Sequence, residues 1–534
     1  MTEAPAHGVA ASEPTNRRPG RLELGLLVAI LLLAAVTRLP GLAERGRWDA
    51  DQGTDMRVLR ALVVDGEVPL LGPRTSIGTF HHGAVYYYLL APAAFASSAD
   101  PVAVTAMIAL FGIAAVAAIW WLGRLMGGPL AAAIAGLLAA VSPAGIDEST
   151  FIWNPNLIPA AAALAYAGAI LGWRTGQARW WVLAGIGAMV TMQCHVLGVV
   201  IVLPLVGAWV AALARGRRDA EPVTGLIRGG SGALLVMAAG YVPLLLSELQ
   251  TGFAETAGIL EYVAGGGREA AMGVGGRIVT VGLRSITWPL SGLLTDRLVV
   301  SMLTALGAIL MGSLAVLGRP SWAPRCLVAS FGVSVVLLAV LAPSLAVIIP
   351  ELPNDHYHAF LDPIVLSVVA VGLVRVATAL PGGVPGRLTA ALGTVALVAI
   401  AVTAWPPATA PDGGWPLADS AAARAAASAA DDAGDDAFLL VGIPSFKNDS
   451  ALRFPLERQG APVIPRDDAD SKPGPATSVV VVCDPLFDDV VGAPCGGAAE
   501  EAWLAAEGRD GLGLVDRFEA GPRRTISVYA VERP

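Results

Sequence analysis

Between Leu22 and Ala404 the chain is a succession of nearly uninterrupted apolar runs. Many are long enough to cross a hydrocarbon core ~30 Å thick, which takes about 20 residues of helix. Such a chain cannot cover its surface as a water-soluble globule. Of its 534 residues 55% are hydrophobic and 15% charged, against about 25% charged in an ordinary soluble domain. A soluble enzyme, a disordered chain and a disulfide-rich secreted scaffold are excluded. The formal net charge of −8 is unevenly spread: 22 acidic and 24 basic residues precede Trp405, and 21 acidic and 11 basic residues lie from there on. The acidity therefore belongs to a hydrophilic tail, and a basic footprint for nucleic acid is absent.

Hydropathy predicts a polytopic α-helical membrane protein with about eleven transmembrane helices. They fall near 22–38, 101–123, 128–143, 155–173, 179–193, 195–214, 229–247, 297–317, 326–349, 359–379 and 388–404. Arg17, Arg18 and Arg21, then Arg124, Arg174 and Arg179, then Arg215, Arg217, Arg218 and Arg228, then Arg319, Arg325, Arg375 and Arg387 fall on one side of this arrangement. By the positive-inside rule that side is the cytoplasm. The expected order is a cytoplasmic N-terminus over 1–21, a membrane domain over 22–404 with a large first outward loop over 39–100, and an extracytoplasmic domain over 405–534. The first helix reads as an uncleaved signal anchor of a multi-pass cell-membrane protein. Ala84 to Phe95 reads as an interfacial helix, because counting it as a span would place the later arginines on the wrong side. A second interfacial helix is expected at Met56 to Val64, and another outward loop over 250–296.

After Trp405 the pattern changes. Helices are expected at 420–432 and 498–507, and strands at 437–442, 478–483, 512–518 and 525–531, which makes a small α/β domain. Cys194 and Cys326 lie in predicted spans. Cys483 and Cys495 are close together in the outer tail, where the compartment favours oxidation, and are a disulfide candidate.

Polar groups of the membrane domain gather on the outward side. His81, His82, His195, His356 and His358 all fall in outward loops or at outward ends of spans, as do most of the acids. The sharpest cluster is Trp48, Asp49, Ala50, Asp51, Gln52, Gly53, Thr54 and Asp55. Two carboxylates one residue apart suit either a divalent metal or a general base beside an acceptor hydroxyl. Arg57 and Arg74 in the same loop are either phosphate ligands or headgroup contacts. Trp48, Phe80, Tyr86, Tyr87 and Tyr88 form either an apolar platform for a ligand or an aromatic interface belt. Glu248 can hydrogen-bond a sugar. Asn154 and Asn156 suit either that role or helix capping beside Pro155. His195 reads as a helix-end histidine.

The stretch Trp48 to Asp55, then Pro69, Leu70, Leu71, Gly72 and Pro73, then Phe80, His81, His82, Gly83 and Tyr86 to Pro92 resembles the first loop of GT-C membrane glycosyltransferases. More narrowly it is similar to glycosyltransferase family 39, the protein O-mannosyltransferase and aminoarabinose-transferase-like group. Phe151 to Asn156, and His356 with Tyr357, look like bacterial members of that group. The resemblance implies a transferase that moves a sugar from a polyprenyl-phosphate donor to an extracytoplasmic protein, lipid or envelope-glycan acceptor, in contact with membrane lipids and without nucleic acid. It implies Asp51 as the catalytic residue, with Gln52 where relatives carry Glu, so that Asp49 or Asp55 would supply a second acid. His81 and His82 fall where relatives carry an acid and a Lys, which hands the phosphate contact to His82. Asp55, Glu248, Asn154, His356, Tyr357 and His358 are the sugar- or acceptor-binding candidates. The group is metal-independent, and no metal or cofactor is predicted. The rival reading is a polytopic transporter or lipid flippase, which would place its ionisable groups near the bilayer midplane and show repeated halves.

Overall fold

Helix α1, Arg21–Arg38, starts the membrane body of the structure, a computed structural model. It describes residues 18–75, 78–264, 272–317, 322–347, 355–379, 384–433, 437–443, 449–465, 478–484, 492–506, 511–521 and 524–531. Most of the expected N-terminal segment, with Arg17, and also Arg319 lie outside these residues. The expected first outward loop is built from α2 (Leu42–Arg45), α3 (Ala50–Val64), the antiparallel pair β1 (Leu71–Arg74) and β2 (His81–Gly83), and α4 (Val85–Ser97). Helix α3 begins earlier than the expected Met56, so Asp51 lies within its first turn.

The 41-residue α5, Pro101–Val141, is a helical hairpin. Gly128 adopts φ 79°, a left-handed conformation open to glycine, and Pro129 starts the second arm. Residues on either side of the turn meet: a Cβ on Gly136 would touch Trp120, and one on Gly123 would touch Ala131 and Ala135. After α6 (Pro143–Asp147) and a 3-10 turn at Asn154–Leu157 come α7 (Ile158–Thr175) and α8 (Ala178–Cys194). A 3-10 segment, Val196–Ile201, leads into α9 (Val202–Arg218), so the expected helix from residue 195 starts irregularly. Helices α10 (Thr224–Gly240) and α11 (Val242–Thr251) make one bent unit with a 44° break. The expected second outward loop contains α12 (Ala254–Ala264) and the amphipathic α13 (Val274–Ser291). The body ends with α14 (Leu298–Leu317), α15 (Trp322–Leu341), 3-10 turns at Pro343–Ala346 and Asp355–Leu361, α16 (Asp362–Ala379) and α17 (Val384–Thr403).

Among the described residues seven helices are long and apolar enough to cross a membrane, or eight with the bent unit counted as one span. That is fewer than the eleven expected. Helix α8 has 17 residues, α1 carries Arg21, Glu23 and Arg38, and the two arms of α5 count once. The arginine-bearing ends come together at one end of the bundle. Arg124 pairs with Glu23, Arg174 donates to the Leu125 carbonyl at 2.8 Å, and Arg215 donates to the Trp173 carbonyl at 2.7 Å. The Trp173 ring in turn packs 4.5 Å from Trp322.

Residues beyond Trp405 form α18 (Gly414–Ala433), β3 (Phe438–Ile443), α19 (Ser450–Arg458), β4 (Val463–Pro465), β5 (Ser478–Cys483), α20 (Ala498–Ala506), β6 (Leu512–Glu519) and β7 (Thr525–Val531). The five-stranded sheet has the order β4-β3-β5-β7-β6, parallel across β4, β3 and β5 and antiparallel across β5, β7 and β6. Strand alternation gives it two cores. Leu440, Val480, Val482 and Val528 meet α18 and α19, while Leu439, Val441, Val479 and Val481 meet α20. A disulfide joins Cys483 and Cys495 at a Cα separation of 5.7 Å.

Candidate functional site

The N-terminus of α3 is held by a capping box. Asp49 accepts from the Ala50 amide at 2.7 Å, and the Asp49 amide donates to Gln52 Oε1 at 2.9 Å. Gln52 is buried and its Nε2 donates to the Ile152 carbonyl at 2.9 Å, tying α3 to the turn before Trp153. A carboxylate at position 52 would have no proton to give the Ile152 carbonyl.

The three carboxylates of the cluster occupy different environments. Asp51 is exposed on the first turn of α3. Asp49, besides capping, accepts from Arg524 of the tail at 2.7 Å. Asp55 is buried, and its two oxygens accept from the hydroxyls of Tyr86 and Tyr87, each at 2.8 Å. Burial pushes its carboxyl up to about 7, against the stabilising tyrosine hydrogen bonds and with the nearby Asp51 charge adding to the rise. Asp55 thus links α3 to α4 through the two tyrosines.

The expected phosphate ligands also separate. Arg57 pairs with Glu457 of α19 at 3.2 Å, whereas Arg74 is exposed on β1. His81 takes both oxygens of Glu255, through its amide at 2.7 Å and Nδ1 at 2.9 Å. His82 is buried, and that burial, with His81 beside it, lowers its pKa to about 3. Burial thus favours the neutral form of the ring. Because its Nδ1 accepts from the Val196 amide at 3.3 Å, the single ring proton sits on Nε2. Glu248 accepts from the Thr256 amide at 2.8 Å and hydroxyl at 2.5 Å, which joins α11 to α12. Asn154 donates to the Cys194 carbonyl and Asn156 to the Phe151 carbonyl, so both brace the turn that precedes α7.

What the structure does bring together is a train of rings. His82 lies 4.7 Å from His195, His195 stacks on Tyr357 at 4.5 Å, Tyr357 meets His356 at 4.0 Å, and His356 meets Trp153 at 4.0 Å. Four segments far apart in sequence converge there. The Asp55 link adjoins this train in sequence, because Tyr86 follows His82 by four residues. His358 lies 3.5 Å from Asp355, which is itself bound by Arg284 of α13 through a buried two-pronged pair.

Sequence reasoning missed Arg284 and the partners of Asp355. The signal was the helical spacing of Val281, Ser285 and Trp288 around Arg284 in a segment expected to be a loop. It also missed a small recess of about 40 Å³ whose lining includes Arg38, Ser142, Glu148, Ser149, Asn156 and Asp362. Burial raises Glu148 well above the usual carboxylate range there. Among the described residues, no group of three or more His, Cys, Asp or Glu side chains could hold a metal ion.

The chain superposes on the crystal structure of ArnT from Cupriavidus metallidurans bound to undecaprenyl phosphate with a TM-score of 0.61 at 13% identity, covering 94% of this chain and 98% of that one. Against the apo state of the same protein the TM-score is 0.59 at 13% identity, with 95% and 98% covered. The fold is that of GT-C enzymes. No protein-family model and no curated protein sequence matches the chain.

Proposed function

We propose that this GT-C chain is an integral membrane glycosyltransferase that moves a sugar from a polyprenyl-phosphate donor to an extracytoplasmic acceptor. The end of the bundle that gathers Arg124, Arg174 and Arg215 would face the cytoplasm by the positive-inside rule, and the tail would lie outside. The neighbour of like fold is described as bound to undecaprenyl phosphate. A polyprenyl phosphate is already a good leaving group, so one inverting displacement needs a base for the acceptor hydroxyl and donors for the charge developing on phosphate.

The observation that carries the reading is the sorting of the three carboxylates. Asp49 is half-buried against Arg524 and Asp55 is buried against Tyr86 and Tyr87, while the Asp51 side chain is exposed to solvent on a helix turn fixed by its capping box. Asp51 takes the proton of the acceptor hydroxyl as its oxygen attacks the anomeric carbon, and the sugar–phosphate bond breaks to release the lipid phosphate. Arg74, exposed on β1, supplies positive charge to that phosphate, and the neutral His82 offers an Nε2 proton rather than a charge. The rings from His195 to Trp153 form the apolar wall against which a sugar face can stack.

The test is incubation of the purified protein with a panel of polyprenyl-phosphate sugars, with the freed lipid phosphate measured by mass spectrometry. Release with at least one donor is expected. Accumulation of solute or lipid across proteoliposomes without a glycosidic product would overturn the reading in favour of a transporter or flippase.

A further inference from the structure

The helix that carries Asp51 is gripped from outside the membrane body. Arg524, in the turn between β6 and β7, is buried and reaches two consecutive residues. Its Nη1 donates to the Trp48 carbonyl at 3.1 Å and its Nη2 to Asp49 Oδ1 at 2.7 Å. That same Asp49 oxygen accepts from the Ala50 amide. The tail also holds the other side of Trp48, whose amide donates to Asp412 Oδ2 at 2.8 Å. Asp412 Oδ1 in turn accepts from the Gly414 amide at 3.0 Å, so the peptide that enters α3 is fixed on both faces by residues of the tail. Gly53, on the next turn, lies so close to the Ser450 carbonyl that a Cβ there would overlap it.

Arg524 is braced in turn. Asp484 stands 3.8 Å from it and follows Cys483, whose disulfide to Cys495 anchors the end of β5. A guanidinium is a planar fork with fixed donor directions, suited to holding a carbonyl and a carboxylate at a set angle. An ammonium is a single point that reaches one of them at a time.

We propose that Arg524 is a positioning residue for sugar transfer: by holding Trp48 and Asp49 it sets the first turn of α3 and so the direction of the Asp51 carboxylate. This rests on the transferase reading given above. It makes the tail a part of the transfer machinery, although none of its residues need touch the donor. Asp51 follows Asp49 by two residues within one helical turn, so a change in the entry angle of α3 moves its carboxylate directly.

The experiment compares full-length wild type with Arg524→Ala, Arg524→Lys, Asp49→Asn and, as a control, Arg424→Ala, which breaks an exposed ion pair to Asp516 inside the tail. Two quantities are read: kcat and KM for the polyprenyl-phosphate sugar, and amide hydrogen exchange over residues 50–53. Arg524→Ala is expected to lower kcat roughly 10- to 100-fold, as expected for a displaced catalytic group, with a smaller change in KM. Exchange at 50–53 should quicken, Lys should restore part of both readouts, and the control should match wild type. Asparagine still caps a helix well and keeps an oxygen acceptor, so Asp49→Asn removes the charge of the pair with Arg524 without touching the tail's core, and it should quicken exchange at 50–53 less than Arg524→Ala does. Wild-type exchange at 50–53 or wild-type kcat in Arg524→Ala would overturn the proposal. If wild type transfers no sugar from any donor, the transferase reading fails while the exchange measurement still decides whether Arg524 sets the turn.

Discussion

The indole Nε1 of Trp48 donates to the Ala451 carbonyl at 2.8 Å and so closes a link between residues 403 positions apart. The ring is buried edge-on to Trp415 at 4.6 Å and lies 5.7 Å from Phe454. An aromatic residue that opens the first loop is therefore part of the core shared with the tail. Trp48→Ala removes a large buried side chain and is expected to cost about 3–5 kcal/mol. Trp48→Phe keeps most of the packing and loses the hydrogen bond, worth about 1 kcal/mol. Thermal unfolding in detergent gives both values, and two equal shifts would contradict the packing role.

Gln52 both accepts from the Asp49 amide and donates to the Ile152 carbonyl. Gln52→Glu keeps the acceptor and sets a carboxylate against a carbonyl. It is expected to lower stability by about 1–3 kcal/mol, the cost of a buried acceptor left unpaired. A melting temperature equal to wild type would show that the amide donor is dispensable.

Arg284 and Asp355 form an ion pair whose side chains are 2% and 1% exposed. Removing one partner strands a buried charge, so Arg284→Ala or Asp355→Ala should each cost about 3–5 kcal/mol. The double variant should cost less than the sum of the two single ones. Additive costs in a double-mutant cycle would mean that the two side chains act separately.

Asp55 binds its proton more tightly in the folded protein, with a pKa of about 7 against an ordinary 3.8. The folded state therefore holds more protons across that window, and this group's contribution to stability falls as pH rises from about 4 to about 7. His82 acts in the opposite sense: its lowered pKa makes its contribution rise with pH from about 3 to the ordinary 6.5. Comparison of Asp55→Asn with wild type leaves the His82 effect in both. The difference in melting temperature should shift in favour of the variant from pH 4 to 7 and stay level above. A difference independent of pH would show that Asp55 is ionised throughout.

Much of the architecture was legible because it rests on local periodicity. Strand β5 was expected over 478–483 and occupies Ser478–Cys483, since a run of valines bounded by polar residues has one reading. The break within α5 was also expected, between spans at 101–123 and 128–143, and it falls at Gly128. Helix α13 was missed because its arginines lower the hydropathy of a segment whose buried face is set by Asp355, 71 residues away. The site was legible in residue type and less so in role. Asp49, Asp51 and Asp55 look alike in sequence, and what separates them is Arg524, solvent, and the Tyr86–Tyr87 pair. His82 looked like a cation because sequence carries no measure of desolvation. The pairing of Arg57 with Glu457 spans 400 residues and involves α19, which the sequence reading did not include.

The most direct test of the central claim is the turnover of a polyprenyl-phosphate sugar by purified Asp51→Asn beside wild type, with the melting temperature of both recorded. Loss of a general base is expected to lower turnover by about 10²- to 10⁴-fold. Because Asp51 is exposed, its melting temperature should stay within about 1 °C of wild type, as for most surface substitutions. A folded Asp51→Asn protein that releases lipid phosphate at the wild-type rate would contradict the account.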